Sequence, residues 1–297
     1  MDLSALEGGD ASTDANAMDA TDATDAMDAM DAAAPCDPAK PFSSVAPIAE
    51  LNDADDQYKA TLTPDELDIW YGVTHPFDGG HVVEIMHASR TSRTAQFGAP
   101  VAVATTMDGI DPSVTDDGLG LYYAKYGTVG SWDLFETTRP TRQDAFGIGA
   151  QLPIALQSTS SETGPFVAFD QSLWFASDRS QATHLYRAPF VDGGLDAPSL
   201  VPSLNSNAQD TGVVLTHDGL WAYVNSTRTD LGSAGGLDIF VAHRATTADD
   251  FAGMTNVTEL NTSGADRANW ISRDNCRLYF QKTQTGTGDL YVATKLP

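Results

Sequence analysis

Basic residues and cysteines are what this 297-residue sequence has least of. It carries 16 Lys and Arg against 41 Asp and Glu, a formal net charge of −25. Phosphate backbones need a basic surface, so the charge argues against a nucleic-acid partner. It also disfavours adhesion to anionic lipid and favours attraction of cations or basic partners. Only Cys36 and Cys276 could form a disulfide. No apolar run approaches the roughly 20 residues of a membrane-spanning helix. The first ten residues lack the basic and apolar segments of a signal peptide. No Gly-x-Ser-x-Gly elbow, phosphate loop or dinucleotide fingerprint occurs in a supporting context. The histidines form no metal motif: His75, His81 and His87 are spaced by six, and His217 falls in a turn.

Residues 1–40 hold ten acidic side chains and one basic one, Lys40, and no aromatic precedes Phe42. Asp19, Asp22, Asp25, Asp28 and Asp31 recur every third residue. Such a segment buries too little apolar area to offset the entropy of ordering, so residues 1–40 are expected to be a disordered acidic linker. A frayed Ala-rich helix is the alternative. Residues 41–297 are expected to be the folded domain.

An acidic turn followed by an aromatic strand recurs five times. Its copies are Thr-Pro-Asp65, Thr-Asp-Asp117, Ala-Phe-Asp170, Thr-His-Asp218 and Ser-Arg-Asp274. The intervals of 52, 53, 48 and 56 residues indicate a ring or array of β units. Three residues before each Asp stands an aliphatic residue: Leu62, Val114, Val167, Leu215 or Ile271. After the turn come strands such as Leu121-Tyr122-Tyr123 and Leu278-Tyr279-Phe280, apolar on both faces. Third strands follow, such as Asp238-Ile239-Phe240-Val241, where the opening Asp is read as a local backbone hydrogen bonder.

A fourth, more exposed strand is expected near Phe97–Val103, Phe146–Leu156, Leu195–Leu204 and Phe251–Leu260. The fifth copy lies at the other end of the chain, at Phe42–Leu51, supported by the shared Glu50-Leu51-Asn52 and Glu259-Leu260-Asn261. The expected fold is therefore all-β: a five-bladed β-propeller of four-stranded antiparallel blades, its ring closed by the N-terminal strand completing the last blade. In that ring Cys36 and Cys276 belong to one blade, and a disulfide between them is expected to lock the closure. Two unrelated thiols are the alternative.

The Pro-Asp or Asp-Gly turn, the Leu-Tyr-Phe-type strand and the Asp-Ile-Phe-type strand resemble the WD40-like repeats of the TolB C-terminal propeller. The resemblance covers nearly all of residues 42–297. The N-terminal α/β domain of TolB has no counterpart, and five copies stand against its six blades, so its partners are not carried over. The acidic Asp-Ala tether is similar to those that follow the lipidated cysteine of bacterial surface lipoproteins. Together with the expected disulfide it implies an exported protein, periplasmic or at the cell surface, whose signal or lipidation segment is not in this chain.

Function is less legible. Asp56, Asp108, Glu162, Asp210 and Asp266 lie eight or nine residues before the turn acids, with Asp111 a second candidate in the second repeat. Placed at a channel mouth, they could attract a cation such as Ca²⁺; the alternative is that each hydrogen-bonds backbone in its own inter-blade loop. Trp270 breaks a column otherwise filled by Thr61, Ser113, Phe166 and Val214, either as a sugar platform or as blade packing. Arg179 and Arg228 are expected to bond the acid that opens the nearby third strand. The first expectation is a monomeric, non-catalytic propeller of the bacterial envelope that binds a protein or glycan at the channel mouth. The alternatives are a glycoside hydrolase or lyase using those acids, and a purely structural envelope component.

Overall fold

Aromatic and β-branched runs broken by Asp-containing turns fold as antiparallel meanders, and five of these make the molecule. The computed structural model describes residues 35–77, 80–127, 131–192, 194–284 and 286–296. Among them every regular element is a strand except one 3₁₀ turn, Ala104–Thr106. The first strand, β1, spans Ser44–Pro47. Blade one is β2 (Asp56–Leu62), β3 (Asp68–Phe77), β4 (Gly80–Ser89) and β5 (Val101–Ala102). Blade two is β6 (Gly109–Val114), β7 (Gly120–Tyr126), β8 (Trp132–Thr138) and β9 (Ala150–Gln151). Blade three is β10 (Glu162–Ala168), β11 (Ser172–Ser177) and β12 (His184–Val191), with an outer edge in two pieces, β13 (Gly194–Leu195) and β14 (Ser199–Leu200). Blade four is β15 (Asp210–Leu215), β16 (Trp221–Ser226), β17 (Asp238–His243) and β18 (Ala252–Asn256). Blade five is β19 (Ala265–Ile271), β20 (Arg277–Gln284) and β21 (Thr287–Thr294), completed by β1.

The closing strand is where the repeat count placed it. β1 pairs antiparallel with β21, from Ser44↔Thr294 to Pro47↔Tyr291. The inner strands β2, β6, β10, β15 and β19 neighbour one another in that order, and β19 returns to β2. The ring is a five-bladed propeller. Second strands are buried on both faces: Ile69, Leu121, Leu173 and Leu278 are fully buried, as are Trp70 and Trp174 one residue on. Each such side chain contributes roughly 1.5–3 kcal/mol.

Of the expected linker, residues 1–34 lie outside the described residues. Residues 35–41 form a strap tied to blade five. Cys36 is disulfide-bonded to Cys276 across a sequence separation of 240, with Cα atoms 5.0 Å apart. The Cys36 amide donates to Asp274 O at 2.7 Å, and Lys295 Nζ donates to Pro38 O at 2.6 Å.

Candidate functional site at the channel

The inner strands stand side by side nearly in phase. Val114 N donates to Thr61 Oγ1 at 3.2 Å, and Val167 N donates to Ser113 Oγ at 3.0 Å. Gly164 N donates to Asp111 Oδ2 at 3.0 Å. These partners are within one residue of equivalent places in the repeat. The strand starts therefore gather at one mouth of the channel and the Asp turns at the other.

At the first mouth the five sequence-selected acids divide into two kinds. Glu162, Asp210 and Asp266 are 0% exposed and reach back four residues into their own inter-blade loops. Glu162 accepts from Ser158 N at 3.0 Å, Asp210 from Ser206 N at 2.7 Å, and Asp266 from Thr262 N at 2.6 Å. Arg179 and Arg228 pair with Glu162 (3.0 Å) and Asp210 (2.7 Å), the acids of the inner strands rather than those opening third strands. Burial pushes the Asp266 carboxyl up. The true copies in the other blades are Gln57, bonded to Asp53, and Gly109. A Cβ on Gly109 would lie 2.6 Å from Thr106 O, so no acid fits there. Asp56 and Asp108 sit one residue earlier. Asp56 accepts from Gly288 N at 2.6 Å, and Asp108 is exposed in a left-handed conformation, φ 61°. Among the described residues no group of three or more His, Cys, Asp or Glu is disposed to hold a metal ion. Trp270 is 6% exposed and packs edge-on against Tyr279, 5.6 Å between centroids, beside Ala60 and Leu62 of blade one. Its ring is given to packing between blades.

Deeper in the channel, every inner strand carries a register irregularity. At this level Lys59 (φ 47°), Asp111 (φ 55°) and Gly164 (φ 58°) occupy equivalent left-handed positions. Bulges re-aim side chains, and here Asp111 of blade two interacts with Lys59 of blade one and Arg267 of blade five. A carboxyl and two cations from three successive blades thus influence one another at this level of the channel. Burial pushes the Asp111 carboxyl up and the Lys59 amine down, each opposed by the other's charge.

The turn-side mouth holds residues that the sequence reading passed over. Immediately before the five turn acids stand Pro64, Asp116, Phe169, His217 and Arg273, no two alike. Four of the five turns are alike. Thr63, Thr115, Thr216 and Ser272 donate to the Asp two residues on, at 2.5–2.6 Å. A shared scaffold thus presents a varied set of side chains. Arg273 Nη2 meets Asp116 Oδ2 at 3.0 Å, a pair between non-adjacent blades. Phe169 and His217 lie 4.0 Å apart, centroid to centroid. Burial raises the Asp116 carboxyl, while Arg273 and His217 oppose that rise.

Blade three breaks the scaffold here. Its turn is one residue shorter, Ala168 replaces the hydroxyl residue, and Ser172 bonds Asp170 instead. A cleft of about 470 Å³ opens between blades two and three, floored by Tyr122, Val167, Phe169 and Phe190 and rimmed by Asp116 and His217. Its floor is aromatic and its rim charged; the rim acids Asp116 and Asp117 make no pair of free carboxylates, since Asp116 is paired with Arg273.

No protein-family model matches the chain, and no curated protein matches it. Solved structures do. TolB from Acinetobacter baumannii superposes with a TM-score of 0.51 at 14% identity, over 83% of this chain and 56% of that one. The chain thus spans little more than half of that TolB. A glycosyl hydrolase from Bacteroides ovatus gives 0.52 at 13% identity, covering 82% and 85%. A putative glycosidase from Bacteroides thetaiotaomicron gives 0.52 at 10% identity, covering 88% and 95%. Identities this low establish a shared propeller fold and nothing of chemistry.

Proposed function

We propose that this chain is a non-catalytic binding propeller of the bacterial envelope that recognises a protein or glycan at the turn-side mouth of its channel. The observation that carries the reading is the convergence of Asp116, Phe169, His217 and Arg273 beside the cleft between blades two and three. Dissimilar side chains on a uniform scaffold are what recognition needs, whereas hydrolysis needs two free carboxylates at fixed separation. Glu162, Asp210 and Asp266 are buried and held by their own loops, which favours binding over hydrolysis. The disulfide and the propeller fold shared with TolB support an exported location.

The test is binding to glycan and peptide arrays, followed by product analysis of every glycan hit. The expected outcome is a ligand recovered intact, with binding lost in Phe169→Ala. A cleaved product would overturn the non-catalytic reading. Binding untouched by Phe169→Ala would overturn the site.

A further inference from the structure

Four of the five blade interfaces contain the same buried cation, and the fifth is the cleft. The cation stands at the end of the third strand, where its backbone amide bonds back to the turn: Arg90 to Leu67 O, Arg139 to Leu119 O, Arg244 to Leu220 O and Lys295 to Cys276 O. Each lies over a phenylalanine at the start of its outer segment. The distances are 4.4 Å for Arg90 and Phe97, 4.6 Å for Arg139 and Phe146, 4.3 Å for Arg244 and Phe251, and 4.6 Å for Lys295 and Phe42. Three also touch the second-strand aromatic of the preceding blade. Arg90 donates to Tyr279 OH at 3.1 Å, Arg139 lies 5.5 Å from the Trp70 ring, and Lys295 Nζ is 3.4 Å from Tyr223 OH. The interface is thus built as an aromatic slot for one positive charge.

In blade three the amide bonded back to the turn belongs to Phe190, donating to Gln171 O. Phe190 stands where the cation would be, and Leu195, its strand partner, stands where the phenylalanine would be. The preceding blade still supplies its aromatic: Tyr122 meets Phe190 edge-on at 6.0 Å. Both rings line the cleft, Phe169 adds a third, and Asp116 and Asp117 supply carboxylates at the rim.

We propose that this cleft receives a cationic side chain, arginine or lysine, presented by a basic polypeptide partner. The inference rests on the reading of the cleft as the binding site and names its ligand class. At four interfaces the chain supplies the cation itself; at the fifth Phe190 takes that place, and its ring with those of Tyr122 and Phe169 lines a cleft that holds none of the column's cations. A cavity of about 540 Å³ also opens beside Phe42 and Tyr223, but there Lys295 is already in place. Asp117 at the rim and the net charge of −25 favour a positive ligand, and Asp116, paired there with Arg273, can exchange that partner for an incoming cation.

The experiment titrates the full oxidised chain with a short glycine peptide carrying one arginine, and with the same peptide carrying neutral citrulline. The arginine peptide is expected to bind at least tenfold tighter, and the lysine peptide to lie nearer to arginine than to citrulline. Asp116→Asn and Phe169→Ala should each weaken arginine binding at least tenfold. Phe190→Arg, which returns the repeat's own cation to the slot, should abolish it with the melting temperature kept. Equal affinity for arginine and citrulline, no measurable arginine binding, or binding that survives in Phe190→Arg would each overturn the proposal. A neutral array ligand lost in Phe169→Ala would overturn the ligand class and leave the cleft as the binding site. A ligand indifferent to Phe169→Ala would remove both.

Discussion

The interface between blades four and five and the interface between blades two and three are the same place in the repeat, filled by different side chains. At the first, Lys295 is buried over Phe42 and beside Tyr223, and the strap carrying Cys36 is bonded across its end. At the second, Phe190, Leu195 and Tyr122 occupy the corresponding positions, no strap crosses among the described residues, and the rings line a cleft without a cation of the column. A cavity opens at the first interface as well, about 540 Å³, but Lys295 already lines it. One backbone frame accepts either arrangement, since the strand-end amide bonds back to the turn in both. The difference lies in these side chains and in the shorter turn of blade three. The first interface supplies its own charge; on the proposed reading, the second leaves that charge to be brought by a ligand.

Breaking the closed interface should have the largest effect. Cys36→Ser removes a link across 240 residues, and the chain-entropy relation gives a loss of about 5 kcal/mol. Urea unfolding of oxidised protein measures it; a loss under about 1 kcal/mol would mean that β1 and the strap hold the ring unaided. Next comes the charge inside the same interface. Burial lowers the Lys295 amine to about 8, although Glu259 and Asp37 act to raise it. Its folded value lies below its unfolded one, so between about pH 8 and 10 the unfolded chain binds more protons and stability rises with pH. Below pH 8 the amine is charged in both states and the full cost of its burial applies. The rise should reach at most about 3 kcal/mol and be absent from Lys295→Met. The buried tyrosines, Tyr223 among them, are pushed up by burial in the folded chain but titrate at about 10 once unfolded, so they pull stability down toward that pH in both proteins and the Lys295 contribution is read as the difference between them. Parallel slopes for the two proteins between pH 8 and 10 would refute the assignment.

That closed interface was readable in the sequence, and the open one was not, for a physical reason. Closure shows itself in residues that repeat: Glu50-Leu51-Asn52 matches Glu259-Leu260-Asn261, and the ring then brings Cys36 to Cys276. The aromatic strands and Asp turns are local patterns and fell where their periodicity put them. The inner-strand acids were harder. Offsets of eight and nine residues look alike in a sequence, but one residue in a strand exchanges its faces. Asp56 and Asp108 therefore stand apart from the buried Glu162, Asp210 and Asp266, whose true copies are Gln57 and Gly109. The cleft was hidden more deeply. The cation column repeats as an arginine seven residues before a phenylalanine in blades one, two and four, but blade three breaks that spacing, with Phe190 five residues before Leu195 and its turn a residue short. Phe190 reads as one more apolar residue until its amide is seen bonding Gln171 O. The column of Pro64, Asp116, Phe169, His217 and Arg273 was visible throughout, as a variable place beside the recurrent Asp of each turn.

Converting each kind of interface toward the other gives the smaller effects. Arg139→Met keeps most of the apolar contact with Phe146 and Trp70 but removes the bond from Nε to Gly118 O, 2.7 Å long and buried. A charged donor lost from a buried carbonyl, with its ring contacts, should cost about 2 kcal/mol. An unchanged unfolding midpoint would show that the column's cations are dispensable to the fold. The reverse conversion, Phe190→Arg with Leu195→Phe, should change stability least, by less than about 1 kcal/mol. The pair restores the side chains that three other interfaces already hold in this frame, with the guanidinium beneath Tyr122 and the new phenylalanine below it. Volume-conserving changes that respect the pattern cost little. A loss of 3 kcal/mol or more would mean that the short turn of blade three, with Gln171 at φ 56°, cannot present a carbonyl to the guanidinium as Gly118 and Gly219 do. The cleft would then be a consequence of the turn, and Phe190 its accommodation.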